Sequence, residues 1–343
     1  MSVIFLRFFL FVAALVLAGC NGNGRELGMA GDLDIEMRRV CVGRYVMDVP
    51  ARLTRQYKGL DGGGDASFYF GHDQDFTRVD VTVSGVRGGE GFESAVLARE
   101  SGLRQKRHFA TGSSMLVGRE SPGPGLALFS SYASPDSTDA VRLEMHTVLD
   151  DTHVVLAETA YSAETRDGIQ SRLATMAASL RSTDDVLLDA PKGFCIDNVV
   201  FDPGNDYEET DLAYAGYLDG VPVALHIDIN TFEQASDDPG LSERGEANLD
   251  GLGIRPERLR AGPRLLAGDA GDEWLGAFAD GHRQLHGFYA ETRTRLPSRR
   301  NPKLLVSLST GDEEAGSAQA GMDEGRAVAL WDRIIASIRK RPG

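Results

Sequence analysis

A chain of 343 residues, 42% hydrophobic and 25% charged, carries enough apolar material for two domains with cores of their own. Its 51 acidic residues against 36 basic ones, a formal charge of -15, exclude nucleic acid and a bare anionic membrane surface as electrostatic partners, since both would be repelled. The same acidity serves simple solubility or steers a basic protein partner, and composition leaves both open.

Arg7 precedes an apolar run from Phe8 to Ala18, too short to span a bilayer but suited to the core of a signal peptide. The run ends in Leu17-Ala18-Gly19-Cys20, which resembles a bacterial lipobox. That resemblance implies that residues 1–19 are a lipoprotein-type signal peptide, cleaved after Gly19, and that Cys20 is acylated. Several acyl chains on one residue anchor a protein stably where a single chain does not. Asn21 follows rather than Asp, so nothing here resembles an inner-membrane retention signal. The expected address is the periplasm, with the lipid in the outer membrane and no membrane contact beyond the anchor. Residues 20–37, with Gly22, Gly24, Gly28 and Gly31, read as a flexible tether.

The body of the chain repeats itself. Cys41-Val42-Gly43-Arg44-Tyr45-Val46-Met47-Asp48-Val49-Pro50 has a partner in Cys195-Ile196-Asp197-Asn198-Val199-Val200-Phe201-Asp202-Pro203, each with Val and Asp at the same distances from its Cys. Each Cys segment reads as a strand. In the first half a Gly-rich turn (Asp61 to Asp65) follows, then strands at Ser67 to Phe70 and Val79 to Val83. A helix carries Phe92, Val96, Arg99 and Leu103. Further strands run over Leu126 to Tyr132, Val141 to His146 and Val154 to Tyr161, and Ile169, Leu173, Met176 and Leu180 mark an amphipathic helix. In the second half an acidic loop (Asp206 to Asp211) leads to a hairpin around Asp219-Gly220. A weak central helix carries Leu241, Leu249 and Leu252. Strands follow at Glu273 to Phe278, Leu285 to Thr292 and Leu304 to Ser309, and Trp331, Ile334, Ile335 and Ile338 form a closing helix. The expectation is an α+β protein of two tandem related domains, residues 38–188 and 189–343, each an antiparallel sheet packed with helices. The boundary falls near Asp184 to Lys192. With Cys20 acylated, Cys41 and Cys195 remain at matching places in an oxidising compartment. A disulfide joining the halves and two separately buried small side chains are both open.

A search for catalysis returns nothing specific. There is no Gly-x-Ser-x-Gly elbow, no His-Glu-x-x-His helix and no phosphate-binding glycine loop between a strand and a helix. His282 and His286 are four apart but straddle a turn between strand-like runs, and the remaining His residues read as solvated or strand-face positions. Residues 202–211 lack the ligand alternation and the glycine placement of a calcium loop. The expectation is a binding protein, not an enzyme, with no cofactor and no metal.

Cys41-Val42-Gly43-Arg44 leading into Asp48-Val49-Pro50, with Gly193-Phe194-Cys195-Ile196-Asp197 opening the second half, resembles the immunity proteins paired with class-four lipase effectors of type VI secretion. The resemblance implies a non-catalytic inhibitor that holds a cognate phospholipase between two α+β domains, blocking substrate access or lid opening. The implied partnership is a monomer forming a 1:1 heterodimer with the effector. Candidate contacts are Asp61 and Asp65 in the Gly-rich turn and Asp206, Tyr207, Glu208, Glu209 and Asp211 in the acidic stretch. The competing reading is an envelope lipoprotein that binds a small ligand or serves as an assembly factor.

Overall fold

The computed structural model describes residues 34–59, 63–71, 76–85, 88–182, 192–232, 240–241, 243–244, 256–280, 283–311 and 321–341. The signal peptide, Cys20, Asp61, Leu249, Leu252, His282 and all of the 184–192 boundary except Lys192 lie outside these residues. The end of the expected tether is part of the body. Ile35 is buried, its carbonyl accepts from Arg333 at 2.9 Å, and Met37 already opens the first strand.

Each Cys segment is a hairpin rather than a single strand: β1 (Met37–Gly43) with β2 (Tyr45–Pro50), and β11 (Phe194–Ile196) with β12 (Val199–Phe201). The reversals sit at Gly43 and Asp197, whose φ angles of 58° and 52° are left-handed, a conformation that Gly and Asp tolerate and β-branched residues do not. After the first hairpin come β3 (Thr54–Gln56), β4 (Ala66–Phe70), β5 (Thr77–Gly85), α1 (Gly88–Gln105), β6 (Leu116–Glu120), β7 (Leu126–Ser134), β8 (Ser137–Leu149), β9 (Thr152–Ala160), α2 (Arg166–Ser179) and β10 (Arg181–Ser182). After the second come β13 (Tyr207–Leu218), β14 (Val221–Asn230), β15 (Glu257–Leu266), β16 (Asp269–Asp280), β17 (Arg283–Thr292), β18 (Lys303–Thr310), α3 (Glu324–Ser337) and β19 (Arg339–Lys340). The acidic stretch is therefore the start of β13 and not a loop.

The fold is α+β and rich in antiparallel sheet, but the strands do not separate into one sheet per half. The large sheet runs β15-β16-β17-β18-β14-β13-β4-β5-β9-β8-β7-β6, with β3 added on β13. Read outward from its middle, each half supplies the same order. The junction is the antiparallel pairing of β4 with β13, where Tyr69 faces Tyr207 and Phe68 faces Glu208. The small sheet runs β10-β12-β11-β1-β2-β19. At its centre β1 pairs antiparallel with β11, and at its edges the closing strand of each half pairs with the other half's hairpin. Cys41 and Cys195 form a disulfide in the middle of this small sheet, with Cα atoms 5.7 Å apart.

The core fills the space between the two sheets. Phe68 of β4 meets Phe194 and Phe201 of the second hairpin with ring centroids at 4.9 and 5.6 Å. On α3, the buried positions Val328, Trp331, Ile334 and Ile335 recur at helical spacing, and Trp331 packs edge-on against Phe288 of β17. Asp323 caps this helix by accepting from the Arg326 amide at 3.0 Å. Burying side chains of this size contributes about 1.5–3 kcal/mol each.

Candidate functional site

Two of the expected contact residues are internal. Glu208 is 0% exposed, because Glu208, Thr210, Leu212 and Tyr214 alternate onto the core face of β13. Its carboxylate accepts from both arms of the Arg44 guanidinium, at 2.5 and 2.9 Å, and from Asn205 at 3.2 Å. Asp65 is likewise buried. It pairs with Arg55 at 2.5 Å and accepts from the Val83 amide at 2.7 Å, while the same guanidinium reaches Asp197 in the second half. Neither carboxylate can meet a partner, since a charge this far from water is kept only by a fixed counter-charge. They are rivets between the halves.

Asp206, Tyr207, Glu209 and Asp211 face outward along the β4–β13 seam. Asp206 accepts from the Gly71 amide at 2.7 Å, and Glu209 accepts from the Tyr69 hydroxyl. Asp211 is held by Lys58 and His226. The hydrogen bond from His226, reinforced by Lys58, lowers the Asp211 carboxyl to about 2 against the opposing effect of burial, and the same bond raises the His226 imidazole.

Of the aromatic part of this seam, sequence reasoning named Tyr207 and missed Tyr69, Phe76 and Phe232. Phe76 stacks on Tyr69 with centroids 5.2 Å apart, and Phe232 meets Tyr69 at 5.0 Å and Tyr207 at 5.8 Å. Phe76 is 46% exposed. The Arg78 guanidinium lies 5.7 Å over the Tyr69 ring. From Arg78 a ladder of alternating charge crosses the first half. Arg78 pairs with Asp80 at 2.6 Å, Asp80 with Arg142 at 3.5 Å, Arg142 with Glu144 at 3.4 Å, and Glu144 with Arg99 of α1 at 2.6 Å. Beside it opens a groove of about 1100 Å³ whose walls include Phe76, Arg78, Arg142, Tyr161 and Arg172. Tyr161 is 80% exposed. Exposed aromatic rings among guanidinium groups are the side chains that anchor protein interfaces. Arg78 and Asp80 alternate with the buried Val79 and Val81 and so lie on the polar face of β5, but nothing in one strand shows that three Arg residues from different elements converge.

Besides the outward Asp211–His226 pair, a second carboxylate–imidazole arrangement lies inside the first half, and it is closed. Glu144, His146 and His153 are all buried, with His146 Nε2 3.5 Å from Glu144 and its Nδ1 3.0 Å from His153. Burial works to raise Glu144, but hydrogen bonds from His146 and Arg99 outweigh it and bring the carboxyl down to about 2. Burial, with the His146 imidazole beside it, lowers His153 to about 4. Phe92 and Phe129 stand edge-on to these rings, so no substrate carbonyl could approach. His108, expected at a solvated or strand-face position, is buried too, and His286, expected beside a turn, is buried on β17 and bonds to Thr310 at 2.8 Å. Among the described residues no three His, Cys, Asp or Glu side chains are grouped to hold a metal, and no helix is long and apolar enough to cross a membrane.

Residues 189–343 match the family model described as Tle cognate immunity protein 4 C-terminal domain. In fold, the chain is similar to the apo structure of the immunity protein TplEi of the T6SS from Pseudomonas aeruginosa. That likeness has a TM-score of 0.61 at 20% identity and covers 89% of this chain and 97% of that one. It is similar to the same degree, at 0.61 and 20%, to a chain of the Tle4–Tli4 complex, covering 89% and 98%. TplEi complexed with an "L" peptide matches at a TM-score of 0.58 and 18% identity over 90% and 99%. No curated protein matches the chain. The structural likenesses establish a shared fold across both halves, and the match to the Tle cognate immunity protein 4 C-terminal domain model spans the second of them, residues 189–343.

Proposed function

We propose that this chain is an immunity protein that binds a cognate type VI secretion lipase effector and holds it inactive without turnover of its own. The observation that carries the reading is the family match over residues 189–343. The first half belongs to the same device, because its strands complete both sheets of the second. The effector is gripped across the seam, with Phe76, Phe232 and Tyr161 as apolar anchors and Arg78, Arg142 and Arg172 meeting acidic groups on the lipase. This contact blocks substrate access or opening of the lid. Binding on both sides of one seam raises the effective concentration of each contact for the other, so the two halves act on one effector in a 1:1 complex. The lipobox-like Leu17-Ala18-Gly19-Cys20 supports a lipid-anchored protein facing the periplasm from the outer membrane, where an incoming lipase would act.

The test is an activity titration, against phospholipid substrate, of the type VI secretion lipase effectors of the same organism, each with this protein added. Wild-type protein is expected to abolish hydrolysis at equimolar ratio. Phe76→Ala with Tyr161→Ala is expected to weaken inhibition by about 2–4 kcal/mol in binding, the scale of interface anchors. Full hydrolysis at molar excess of a correctly folded wild type would overturn the proposal.

A further inference from the structure

A second cavity, of about 330 Å³, lies at the far end of the small sheet and takes no part in the seam groove. It collects Arg44 and Tyr45 from the first hairpin, Arg299 and Arg300 from the β17–β18 connection, and Lys340 and Arg341 from the chain end. None of its lining residues is acidic, although the molecule as a whole carries a formal charge of -15. We propose that this cavity binds a phosphate group, either free phosphate or the phosphodiester of a lipid headgroup.

The fixed geometry around the cavity fits that ligand. Glu208 already holds Arg44, and Asp269 holds Lys340 at 2.6 Å, so two of the five cations are offset from behind. Arg341 is pinned by its backbone amide, which donates to the Arg44 carbonyl at 2.9 Å, and by its guanidinium, which donates to the Gly193 carbonyl at 2.8 Å. Burial, and then the nearby Arg44 charge, push Arg341 below the usual guanidinium range. The turn Ser298–Asn301 is closed by a reciprocal pair of backbone hydrogen bonds and carries Arg299 and Arg300 at its tip, both exposed. The Tyr45 hydroxyl is buried and has no hydrogen-bond partner among the described residues, leaving a spare donor in the wall. A carboxylate needs one guanidinium fork. Donors converging from three separate elements match a tetrahedral anion with three or more oxygens.

The inference is independent of the inhibitory role and is tested on the intact protein by calorimetric titration at constant ionic strength. Inorganic phosphate and glycerophosphoglycerol, a soluble diester headgroup, are the two probes. Saturable binding of at least one probe is expected. It should weaken about tenfold or more in Arg299→Ser with Arg300→Ser and stay unchanged in Arg295→Ser, an exposed control outside the cavity. Binding of the diester assigns the site to headgroups, and binding of phosphate alone assigns it to the free ion. Heat that merely follows ionic strength, or equal affinity in the double variant and wild type, would overturn the proposal. Because Arg299 and Arg300 are exposed, a folding defect would appear first as a lowered Tm, and the single variants Arg299→Ser and Arg300→Ser then provide the comparison.

Discussion

Arg44 and Glu208 are 164 residues apart in sequence and within hydrogen-bond reach in the fold, so this pair ties the first half to the second. Removing Arg44 would leave a fully buried carboxylate without its counter-charge, a loss of about 3–5 kcal/mol. Removing both partners should cost less than Arg44→Ala alone, because nothing charged is then stranded. Urea unfolding of Arg44→Ala, Glu208→Ala and the double variant checks this, and additive losses would show that the two side chains do not act on each other. The outward pair gives a pH prediction. Asp211 is lowered to about 2 from an ordinary 3.8, so its contribution is present above pH 3.8 and is lost as pH falls toward 2. His226 is raised above 6.5, so its contribution is present below pH 6.5 and is lost as pH rises through its folded value. The bond therefore adds most between about pH 4 and 6.5. In an NMR titration the His226 ring should titrate above 6.5, and in Asp211→Asn it should fall back toward that value. An unchanged midpoint would mean that Asp211 does not set it. The sequence hid Glu208 among Asp206, Glu209 and Asp211, and a run of carboxylates reads as solvated. The period of two from Glu208 through Thr210 and Leu212 to Tyr214 was there to be seen and points the other way.

Long strands and helices were legible because their own side chains declare the buried face. Val79, Val81 and Val83 on β5, Ile169, Leu173 and Met176 on α2, and Trp331 and Ile334 on α3 all sit where their spacing places them. The strands β6 and β15 were not legible. They are the two outer edges of the large sheet, with a single buried residue between them, and so carry no clean alternation. Nor were β10 and β19, two residues each, whose identity as strands comes entirely from the hairpins they pair with. The same non-local logic makes the disulfide the element-level lock of the small sheet. Cys41 and Cys195 close a loop of 154 residues across β1 and β11, the one ladder in that sheet where the two hairpins meet. Loop-closure entropy alone gives about 5 kcal/mol for a crosslink of this span. Cys41→Ser with Cys195→Ser should shift the denaturation midpoint by several kcal/mol, with little change in far-ultraviolet circular dichroism under native conditions. A shift below about 1 kcal/mol would mean that the ladders hold the sheet without the bond.

At the scale of the molecule, a repeat in sequence has become an exchange of strands in space. The order β4-β5-β9-β8-β7-β6 and its counterpart β13-β14-β18-β17-β16-β15 are the same topology written twice, yet neither half keeps its own closing strand. Strand β10 leaves the first half to edge the second hairpin, and β19 returns from the second half to edge the first. Independent modules would unfold separately, whereas modules that share two sheets, a disulfide and two buried ion-pair clusters should unfold together. Calorimetry of the intact chain is expected to give a single transition whose van't Hoff and calorimetric enthalpies agree, unusual for a chain of 343 residues. Fragments 34–182 and 192–341 purified apart should each lack a cooperative transition and bind the dye ANS, since each exposes the apolar face that the other covers. Produced together they should form one complex with the native transition. Two fragments that each melt sharply on their own would show that the shared sheets are contacts between finished domains. In that case the grip on an effector would work through a hinge between the halves, and not through a single preformed body.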